Sequence, residues 1–541
     1  MKNTSTLLSI KNLKKYFPIA KSSIFQKEQL YVRANEEITI DIHDGETFGL
    51  VGESGCGKST LGRTILQLYD QTAGSTMYYG RTLDEFVPSY AAATMRKAPK
   101  MIALYKKLQA KADAAAADCD AAGENATFFQ HQKKNLTAAE AETAFQNVVK
   151  IMGGFAVLDD PREGAALLLK KFQVSIKISK LNEQIRDLDG EIAFYEAIAQ
   201  ELKADDTVKN PDAKIAKAQK KADAFRAKKE KLIPAQNKLN ELLQKADAAV
   251  VAYKAEYAGD PKFDECEAML DNGIDLSRLK YREMRVIRKD IQIIFQDPYS
   301  SLNPRMTVGQ IIGEGLTTHK FFKAGDAQMK DYILKVMEQC GLQDYMLHRY
   351  PHQFSGGQRQ RICIARALAV KPKFIVCDEC VSALDVSIQS QIINLLEELK
   401  EKENLTYLFI SHDLSVVRYI SDRIGVMYLG NMVELGTAEE VFADPRHPYT
   451  VALMSSIPTT DAEALKKERI LLEGNIPSPI RPPEGCKFHT RCYMACDKCK
   501  RVPPPTTEVS PGHFVTCHFP DAKLDENGDY LFKINKPTDE Q

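Results

Sequence analysis

The sequence predicts an α/β domain that is interrupted by an all-α insertion and followed by a loop-rich tail with clustered cysteines. Residues 36–51 alternate and then become continuously apolar before a glycine-rich loop and a helical pattern, and strand patterns return after residue 278. Between them the chain is rich in Ala and Lys, and beyond residue 451 it is rich in proline. The predicted divisions are 1–86, 87–277, 278–450 and 451–541.

Length and composition narrow the class of protein. The 541 residues are enough for two to four domains, and Lys+Arg equals Asp+Glu at 73 each, so no nucleic-acid partner is expected. The start lacks the apolar run of a secretory signal, and no segment approaches the roughly 18 apolar residues of a membrane span. We therefore expect a cytosolic location with reduced thiols, in which the 12 cysteines are core, metal-binding or incidental.

The insertion carries apolar residues at steps of three and four, the pattern of a helical hairpin packed along one seam. The first stripe consists of Ile178, Leu181, Ile185, Leu188, Ile192, Tyr195, Ala199 and Leu202. The second consists of Ile215, Ala218, Ala222, Phe225, Leu232, Leu239, Leu243, Ala246, Val250 and Tyr253. Residues 204–212 supply the turn, and Pro234 is expected to kink the second helix. Ten basic against four acidic residues in 212–245 indicate a solvated face or a docking surface.

A glycine-rich loop follows the first strand pattern. Its spacing, G-x4-GK-[ST], is that of a phosphate-binding P-loop between a strand and a helix, and a plain glycine-rich turn is the alternative. The glycines let backbone N–H groups converge on phosphates, Lys58 reaches the β- and γ-phosphates, and Ser59 offers its hydroxyl to Mg²⁺. The predicted nucleotide-binding residues are Gly52, Glu53, Ser54, Gly55, Cys56, Gly57, Lys58, Ser59 and Thr60.

Three later strands end in polar side chains. "FIVCDE" ends in Asp378, suited to a Mg²⁺ shell, and Glu379, suited to act as general base toward water. Gln296 follows "IQIIF", where an amide can touch metal and water, although a lone Gln is more often a surface residue. His412 follows "YLFIS" and could bind a γ-phosphate, although a lone His at a strand end is usually structural. Together with the P-loop they predict a nucleotide-hydrolysing site.

A second glycine-rich stretch, "FSGGQRQR" at residues 354–361, would be redundant unless it serves a different nucleotide. The order of the P-loop, Gln296, "SGGQ", the Asp-Glu strand end, "SALD" and the strand-end His resembles the ATP-binding subunit of ABC transporters. The resemblance implies a RecA-like core with a helical signature subdomain. It also implies that Ser355, Gly356, Gly357 and Gln358 complete the ATP site of a partner protomer, with Asp385 crossing the dimer interface. Phe17 matches the aromatic residue that stacks on adenine, with Tyr16 as the alternative and core packing as the ordinary explanation.

Downstream motifs make the resemblance more specific. "DPYSSLNPRMTVGQII", "DPRHPYTVALMSSIP" and "GNIPSPIRPPEGCKFHTRC" look like the second ATPase subunit of dipeptide/oligopeptide importers, and the similarity covers about residues 7–86 and 278–520. It implies an ATPase that energises peptide import through ATP-driven dimerisation, with Mg²⁺ held by Ser59, Gln296 and Asp378. The implied partners are a paralogous ATPase, two membrane permeases and, indirectly, an extracytoplasmic solute-binding protein. The implied location is peripheral, on the cytoplasmic face of the membrane.

Two features depart from that family pattern. Cys380 stands where the family usually has proline, which should loosen the loop slightly. The insertion of roughly 190 residues must leave and re-enter at neighbouring points, because Lys58 and Gln296 have to meet one nucleotide. The insertion is interpreted as an accessory arm that contacts a partner, or as an inert elaboration.

The tail concentrates five cysteines within 32 residues. Thiolates clustered without a core of their own suggest a metal, but Cys486, Cys492, Cys499 and Cys517 are spaced more widely than usual zinc pairs. The resemblance implies an iron–sulfur cluster of the [4Fe–4S] type, and free thiols or a zinc knuckle are the alternatives. Cys496 is the spare cysteine. His489, His513 and His518 are candidate substitute ligands.

Other functions remain open from the sequence. An ABC-type ATPase of DNA repair or chromosome maintenance also combines this domain with a coiled coil, but its coil typically enters after the residue equivalent to Gln296 and is longer. A translation factor would need two cassettes, and one P-loop is present. Nickel or another small solute is the alternative cargo.

Overall fold

A computed structural model describes residues 5–21, 29–123, 126–204, 211–322, 327–457 and 470–520. The chain forms two units. The first joins Met1–Gly80 with Asp275–Gln541, and the second is Arg81–Ile274. The chain therefore leaves the first unit and later returns to it.

The described residues of the first unit form strands and helices, and those of the second unit form helices between residues 83 and 268. The strands are β1 (Thr6–Pro18), β2 (Tyr31–His43), β3 (Thr47–Val51), β4 (Ala73–Tyr78), β5 (Ile274–Asp275), β6 (Ile291–Ile294), β7 (Phe374–Asp378), β8 (Thr406–Ile410), β9 (Arg423–Tyr428), β10 (Asn431–Thr437), β11 (Thr506–Ser510) and β12 (His513–Thr516). The helices are α1 (Lys58–Ile65), α2 (Leu83–Phe86), α3 (Ser89–Arg96), α4 (Ala98–Ala122), α5 (Phe128–Met152), α6 (Arg162–Ala204), α7 (Pro211–Ala255), α8 (Pro261–Ala268), α9 (Tyr281–Ile287), α10 (Pro298–Ser301), α11 (Val308–Thr318), α12 (Ala327–Gln339), α13 (Gly356–Leu368), α14 (Val386–Glu403), α15 (Leu414–Ile420), α16 (Ala438–Ala443), α17 (Pro448–Ser455) and α18 (Asp497–Arg501).

An eight-stranded sheet forms the centre of the first unit, in the order β11-β12-β10-β9-β3-β8-β7-β6. The five strands from β9 to β6 run parallel, and the remaining three join antiparallel. Every residue of β3, β7 and β8 is buried, as expected for parallel strands covered on both faces. Their carboxyl ends meet at one edge, which brings the three motifs that follow them together.

A second sheet has the order β2-β1-β4-β5, and its strands β1, β2 and β4 flank the P-loop in the sequence. Strands β1, β2 and β4 pair antiparallel, and β1 carries Tyr16 and Phe17 near its end. Helices α11, α12 and α13 share one hydrophobic core with β7 and β8. The sheet therefore fixes the start of α13, where the "SGGQ" stretch lies.

The tail is more regular than the sequence predicts. Strands β11 and β12 form a hairpin, and β12 pairs with β10 through Glu434↔Val515 and Leu435↔Phe514, so the tail extends the central sheet. The expectation of a mostly irregular tail is thus wrong for residues 506–516. Its proline content misled the prediction because Pro503, Pro504 and Pro505 precede the hairpin and Pro511 lies in its turn, so none of them interrupts a strand.

The second unit is all-α over its described residues, except where β5 begins at its last residue. Helices α4 and α5 form one antiparallel hairpin, with ion pairs Lys111–Glu140 and Lys133–Asp118. Helices α6 and α7 form a longer one, in which Lys171 pairs with Asp247 and Lys229 with Asp189. The sequence indicated the second hairpin and gave no separate sign of the first.

The predicted seam of the long hairpin lies along the less exposed face of both helices, and Ile192, Ala199, Ala218 and Ala222 on it are buried. Helix α7 runs through Pro234. Most of the predicted turn, residues 205–210, lies outside the described residues. At the base of the unit, Leu83 N donates to Asn272 O at 2.7 Å, so the two ends of the unit are adjacent in space.

Candidate nucleotide-binding site

The P-loop links β3 to α1, and α1 begins at Lys58. Gly52 and Gly57 have φ angles of 148° and 106°, which side chains rarely adopt. A β-carbon on Gly57 would also lie 2.1 Å from Ala34 O, and one on Gly52 would lie 2.2 Å from Met427 O. Glycine is therefore required at both positions by conformation and by space.

Lys58 is buried inside the loop. Its Nζ donates to Gly52 O at 2.7 Å and to Glu53 O at 3.1 Å. Cys56 Sγ lies 3.8 Å from the same atom. The ammonium group thus points into the concave side of the loop, where phosphate would displace weaker carbonyl acceptors.

Asp378 ends β7 with its side chain 1 % exposed, and Arg63 on α1 pairs with Oδ2 at 3.2 Å. Its other oxygen, Oδ1, is buried and accepts no hydrogen bond within the described part of the chain. A buried carboxylate oxygen without a donor is energetically costly unless a cation or water satisfies it. The residue therefore fits the magnesium ligand that the sequence predicts.

Glu379 follows in the left-handed region, with φ 49°. This conformation turns its side chain toward two other strand ends. Gln296 Nε2 donates to Glu379 Oε2 at 2.7 Å, and His412 Nδ1 lies 3.6 Å from the same oxygen. The structure thus brings together the three polar residues that the sequence places after separate strands.

These groups surround one cleft of about 900 Å³ of empty space, part of it open to solvent. The sequence-predicted residues that line it are Phe17, Ser54, Gly55, Cys56, Gly57, Lys58, Ser59, Thr60, Gln296 and Glu379. Phe17 lines the cleft, whereas Tyr16 is buried and its hydroxyl donates to Glu36. Gly52, Glu53, Asp378 and His412 are not among the lining residues.

Several lining residues carried no sequence signal. Arg33, Ala34 and Pro479 face the cleft, and Arg33 N donates to Pro479 O at 3.1 Å. Arg33 lies in an ordinary strand pattern and Pro479 in a proline-rich tail. Their proximity depends on a contact across more than four hundred residues.

The "SGGQ" stretch stands apart from the residues that line the cleft. Ser355 caps α13, accepting from Gln358 N at 3.4 Å, while Ser355 N donates to Gln358 Oε1 at 3.2 Å. Asp385 caps α14 in the same way, and its hydrogen bond from Ile388 N lowers the pKa of the carboxyl. A β-carbon on Gly357 would lie 2.5 Å from Ile388, so the two helix starts pack together.

Cys486, Cys492, Cys499 and Cys517 line a second, smaller cavity in the tail, together with His489 and His518. Burial raises the pKa of Cys492 to about 12 and of Cys499 and Cys517 to about 11. Within the described residues no three His, Cys, Asp or Glu side chains are close enough to hold a metal ion.

Cys496 and His513, the other candidate ligands of the tail, lie in different surroundings. Cys496 Sγ lies 3.7 Å from Cys499 Sγ. His513 hydrogen-bonds instead to Glu434 in the central sheet, with its Nε2 at 2.8 Å from Glu434 Oε1. His513 was a candidate substitute ligand because a sequence does not show the register of β12, which turns this ring toward β10.

The fold and the cleft together define a P-loop nucleotide-binding protein, and comparisons with known proteins identify the family. A family model described as "ABC transporter" matches residues 35–244 and 259–382, and one described as "Oligopeptide/dipeptide transporter, C-terminal region" matches residues 433–499. The chain therefore belongs to the ABC transporter family and carries the C-terminal region of its oligopeptide/dipeptide branch. This confirms the resemblance and the predicted fold class.

Two curated relatives illustrate the similarity. The oligopeptide transport ATP-binding protein AppF of Bacillus subtilis (strain 168) is 54% identical over 252 residues, which are 46% of this chain and 76% of that protein. The oligopeptide transport ATP-binding protein OppF of Haemophilus influenzae is 51% identical over 246 residues, 45% of this chain and 74% of that protein. Among the described helices, none has both the length and the apolar character needed to cross a membrane.

Proposed function

We propose that this chain is the ATP-hydrolysing subunit of an importer for dipeptides or oligopeptides. The observation that carries the proposal is the single cleft that collects the P-loop, Phe17 and the hydrogen-bonded pair Gln296–Glu379. Relatives named for oligopeptide transport, and the matching C-terminal region, support the peptide class of cargo.

In this proposal the P-loop binds the triphosphate of ATP. Lys58 exchanges its carbonyl partners for phosphate oxygens, and the N-terminus of α1 adds backbone N–H donors. Phe17 offers its ring to the adenine. Ser59, Gln296 and Asp378 would hold Mg²⁺, which supplies charge neutralisation on the phosphate oxygens when bound.

Glu379 acts as general base toward the attacking water. The amide of Gln296, which donates to Glu379 Oε2, fixes the carboxylate and leaves the second oxygen for the water. His412, whose Nδ1 lies 3.6 Å from the same Glu379 oxygen, would contact the γ-phosphate. Three strand ends thus supply base, orienting group and phosphate ligand.

The residues of the "SGGQ" stretch do not line the cleft of their own chain, which supports a shared site. We propose that Ser355, Gly356, Gly357 and Gln358 close over the ATP of a paralogous ATPase subunit, with Asp385 at the interface. Two membrane permeases follow this movement and hold the chain at the cytoplasmic face of the membrane. An extracytoplasmic binding protein supplies the peptide.

The test uses the Glu379→Gln variant, which keeps the side-chain shape and removes the base. Mixed with its paralogous partner and Mg-ATP, it should form a stable face-to-face dimer by size-exclusion chromatography and light scattering. The matched control is Glu397→Gln on α14, a glutamate outside the cleft. If Glu379→Gln and the partner stay apart at saturating Mg-ATP, the proposed mechanism is wrong.

We further propose that the tail cysteines bind a metal centre, either a [4Fe–4S] cluster or zinc. The support is that Cys486, Cys492, Cys499 and Cys517 line one cavity. No three of them lie close enough to share an ion in the described structure, so metal binding would draw them together. Purification under anaerobic conditions should give iron and acid-labile sulfide, or zinc, in fixed ratio to protein. A Cys492→Ser variant should lose that metal, whereas the spare Cys496→Ser should retain it; protein free of both metals would contradict the proposal.

The helical unit, predicted as residues 87–277, is proposed to be an accessory arm separate from the ATP chemistry. All residues that line the cleft belong to the first unit. The adjacent ends of the unit allow its removal, and the corresponding experiment is described in the Discussion.

A further inference from the structure

The C-terminal region contacts the P-loop at Glu53. Arg491, which precedes Cys492, makes a two-pronged contact with its carboxylate: the two guanidinium nitrogens donate at 2.7 Å and 3.0 Å to the two oxygens. The Arg491 side chain is 6% exposed and that of Glu53 is 25% exposed. Paired contacts of this kind fix orientation as well as distance, because both groups are planar.

A second contact holds the backbone of the same residue. The Tyr449 hydroxyl accepts a hydrogen bond from Glu53 N at 2.8 Å, and Tyr449 is fully buried. Its ring lies 4.8 Å from that of Tyr428 and 5.4 Å from that of Phe488, centroid to centroid. The aromatic cluster therefore holds the hydroxyl in a fixed place.

The anchoring adds to hydrogen bonds that hold the other end of the loop, from Gly430 N to Cys56 O at 2.9 Å and from Asn35 Nδ2 to Gly57 O at 3.1 Å. Gly52, Gly55 and Gly57 all have positive φ, and glycine loses more conformational freedom on ordering than any other residue. A P-loop binds phosphate only while its N–H groups converge. Two fixed contacts at Glu53, next to Gly52, limit the other conformations that the loop can adopt.

From this geometry we propose that Arg491 and Tyr449 are positioning residues for ATP binding, acting through Glu53. The C-terminal region, with Pro479 at the cleft, is then a working part of the nucleotide site in its own chain. Neither Arg491 nor Tyr449 is among the residues that line the cleft, so their effect is transmitted through the loop. The inference rests on the proposed ATPase function.

The experiment uses the full chain and measures KM for ATP and kcat, with binding of a fluorescent ATP analogue and the melting temperature. Arg491→Gln should raise KM and the analogue's Kd about tenfold, a loss of ~1.4 kcal/mol. Tyr449→Phe should raise both about threefold. In each case kcat should stay within about twofold, because the hydrolytic residues are unchanged.

Matched controls separate positioning from support of the fold. Arg446 is also largely buried and pairs with Asp444, and Tyr332 donates a hydrogen bond of 2.8 Å to Ala369 O. Arg446→Gln and Tyr332→Phe should lower the melting temperature at least as much as the test variants while leaving KM unchanged. An equal rise in KM for a control would overturn the inference.

A double variant tests whether Glu53 transmits the effect. In a Glu53→Gln background, Arg491→Gln should raise KM no further. An additional tenfold rise there, or wild-type KM in both single variants, would overturn the inference. If Arg491→Gln does not fold, Arg491→Lys replaces it, since lysine keeps the charge without the two-pronged geometry, and KM should still rise.

The same measurements separate the positioning role from the proposed function. If the wild type binds ATP and the variants have the same KM and Kd as the wild type, only the positioning role is refuted. A wild-type chain that binds no more analogue than Lys58→Ala refutes the proposed function.

Discussion

The two units of this chain differ in the contacts that stabilise each of them. In the first, the strands β3, β7 and β8 are buried along their whole length, and their ends carry the polar groups of the cleft. In the second, most seam residues of α6 and α7 are only half-buried, and ion pairs such as Lys229–Asp189 lie at the edge. The first unit depends on burial between distant segments, and the second depends more on local helix formation.

This difference has consequences for what each unit can do. A side chain at the end of a buried strand has few alternative positions, so it can hold the geometry that chemistry needs. A long two-helix arm tolerates change at most positions, because few contacts depend on any one residue. Substitutions should therefore have large effects in the first unit and small effects in the second.

The largest difference in ATPase rate is expected between two lysine-to-alanine substitutions, one in each unit. Lys58→Ala removes the ammonium group inside the P-loop and should lower ATP hydrolysis at least about 100-fold. Lys214→Ala, at an exposed position of α7, should leave the rate unchanged. Steady-state ATPase assays measure both, and a similar loss for the two lysines would contradict the division of roles.

Core substitutions give the next contrast. Phe409 on β8 is fully buried, and Phe409→Ala should cost about 3–5 kcal/mol of unfolding free energy through lost contacts and a cavity. Leu188→Ala on the half-buried seam of α6 should cost only about 1 kcal/mol. Denaturant unfolding followed by circular dichroism compares them, and equal costs would mean that the seam is as tightly packed as the sheet.

A pH effect should arise in the first unit. Burial lowers the pKa of His447 to about 4, below its ordinary value near 6.5. Between these values the unfolded chain binds the proton and the folded chain does not, so the stabilisation is complete above about pH 6.5 and is lost as pH falls toward 4. The loss should be about 2–3 kcal/mol by pH 4.

The matched variant is His447→Asn, because asparagine keeps the acceptor that caps α17 at Tyr449 N without titrating in this range. Melting curves from pH 7 to 4.5 should show a smaller fall for the variant than for the wild type. Parallel curves for the two proteins would assign the acid sensitivity to other groups.

The smallest effect on ATPase activity is expected from removing most of the second unit. Removing residues 84–271 and joining the ends with a short Gly/Ser linker should leave kcat and KM for ATP within about threefold. The adjacent ends at Leu83 and Asn272 make the linker feasible. Loss of ATPase activity in a deletion variant that still folds would show that the arm contributes to the nucleotide site.

Much of the first unit could be predicted because its signals are local. The P-loop spacing indicates a strand, a loop and a helix, and the apolar runs before Asp378 and His412 indicate buried strands whose ends must meet. The seam of α6 and α7 follows from steps of three and four. The α4–α5 hairpin was missed because its composition, rich in alanine, shows no marked apolar stripe.

Other features could not be predicted, because they join segments that are far apart in the chain. The contact of Arg491 with Glu53 spans 438 positions, and no motif near either residue announces it. The pairing of His513 with Glu434 depends on the register of β12 against β10, and a shift of one residue would turn the ring away.

The sequence by itself determined which residues are predicted to bind phosphate, which carboxylates end the strands, and where the helical unit interrupts them. These properties follow from residue type and short-range spacing. Only the tertiary structure decided that Phe17 rather than Tyr16 faces the cleft. It also decided that the tail extends the sheet and that Arg491 and Tyr449 bind Glu53 of the P-loop. Those outcomes depend on which surfaces pack together, and packing is a property of the whole folded chain.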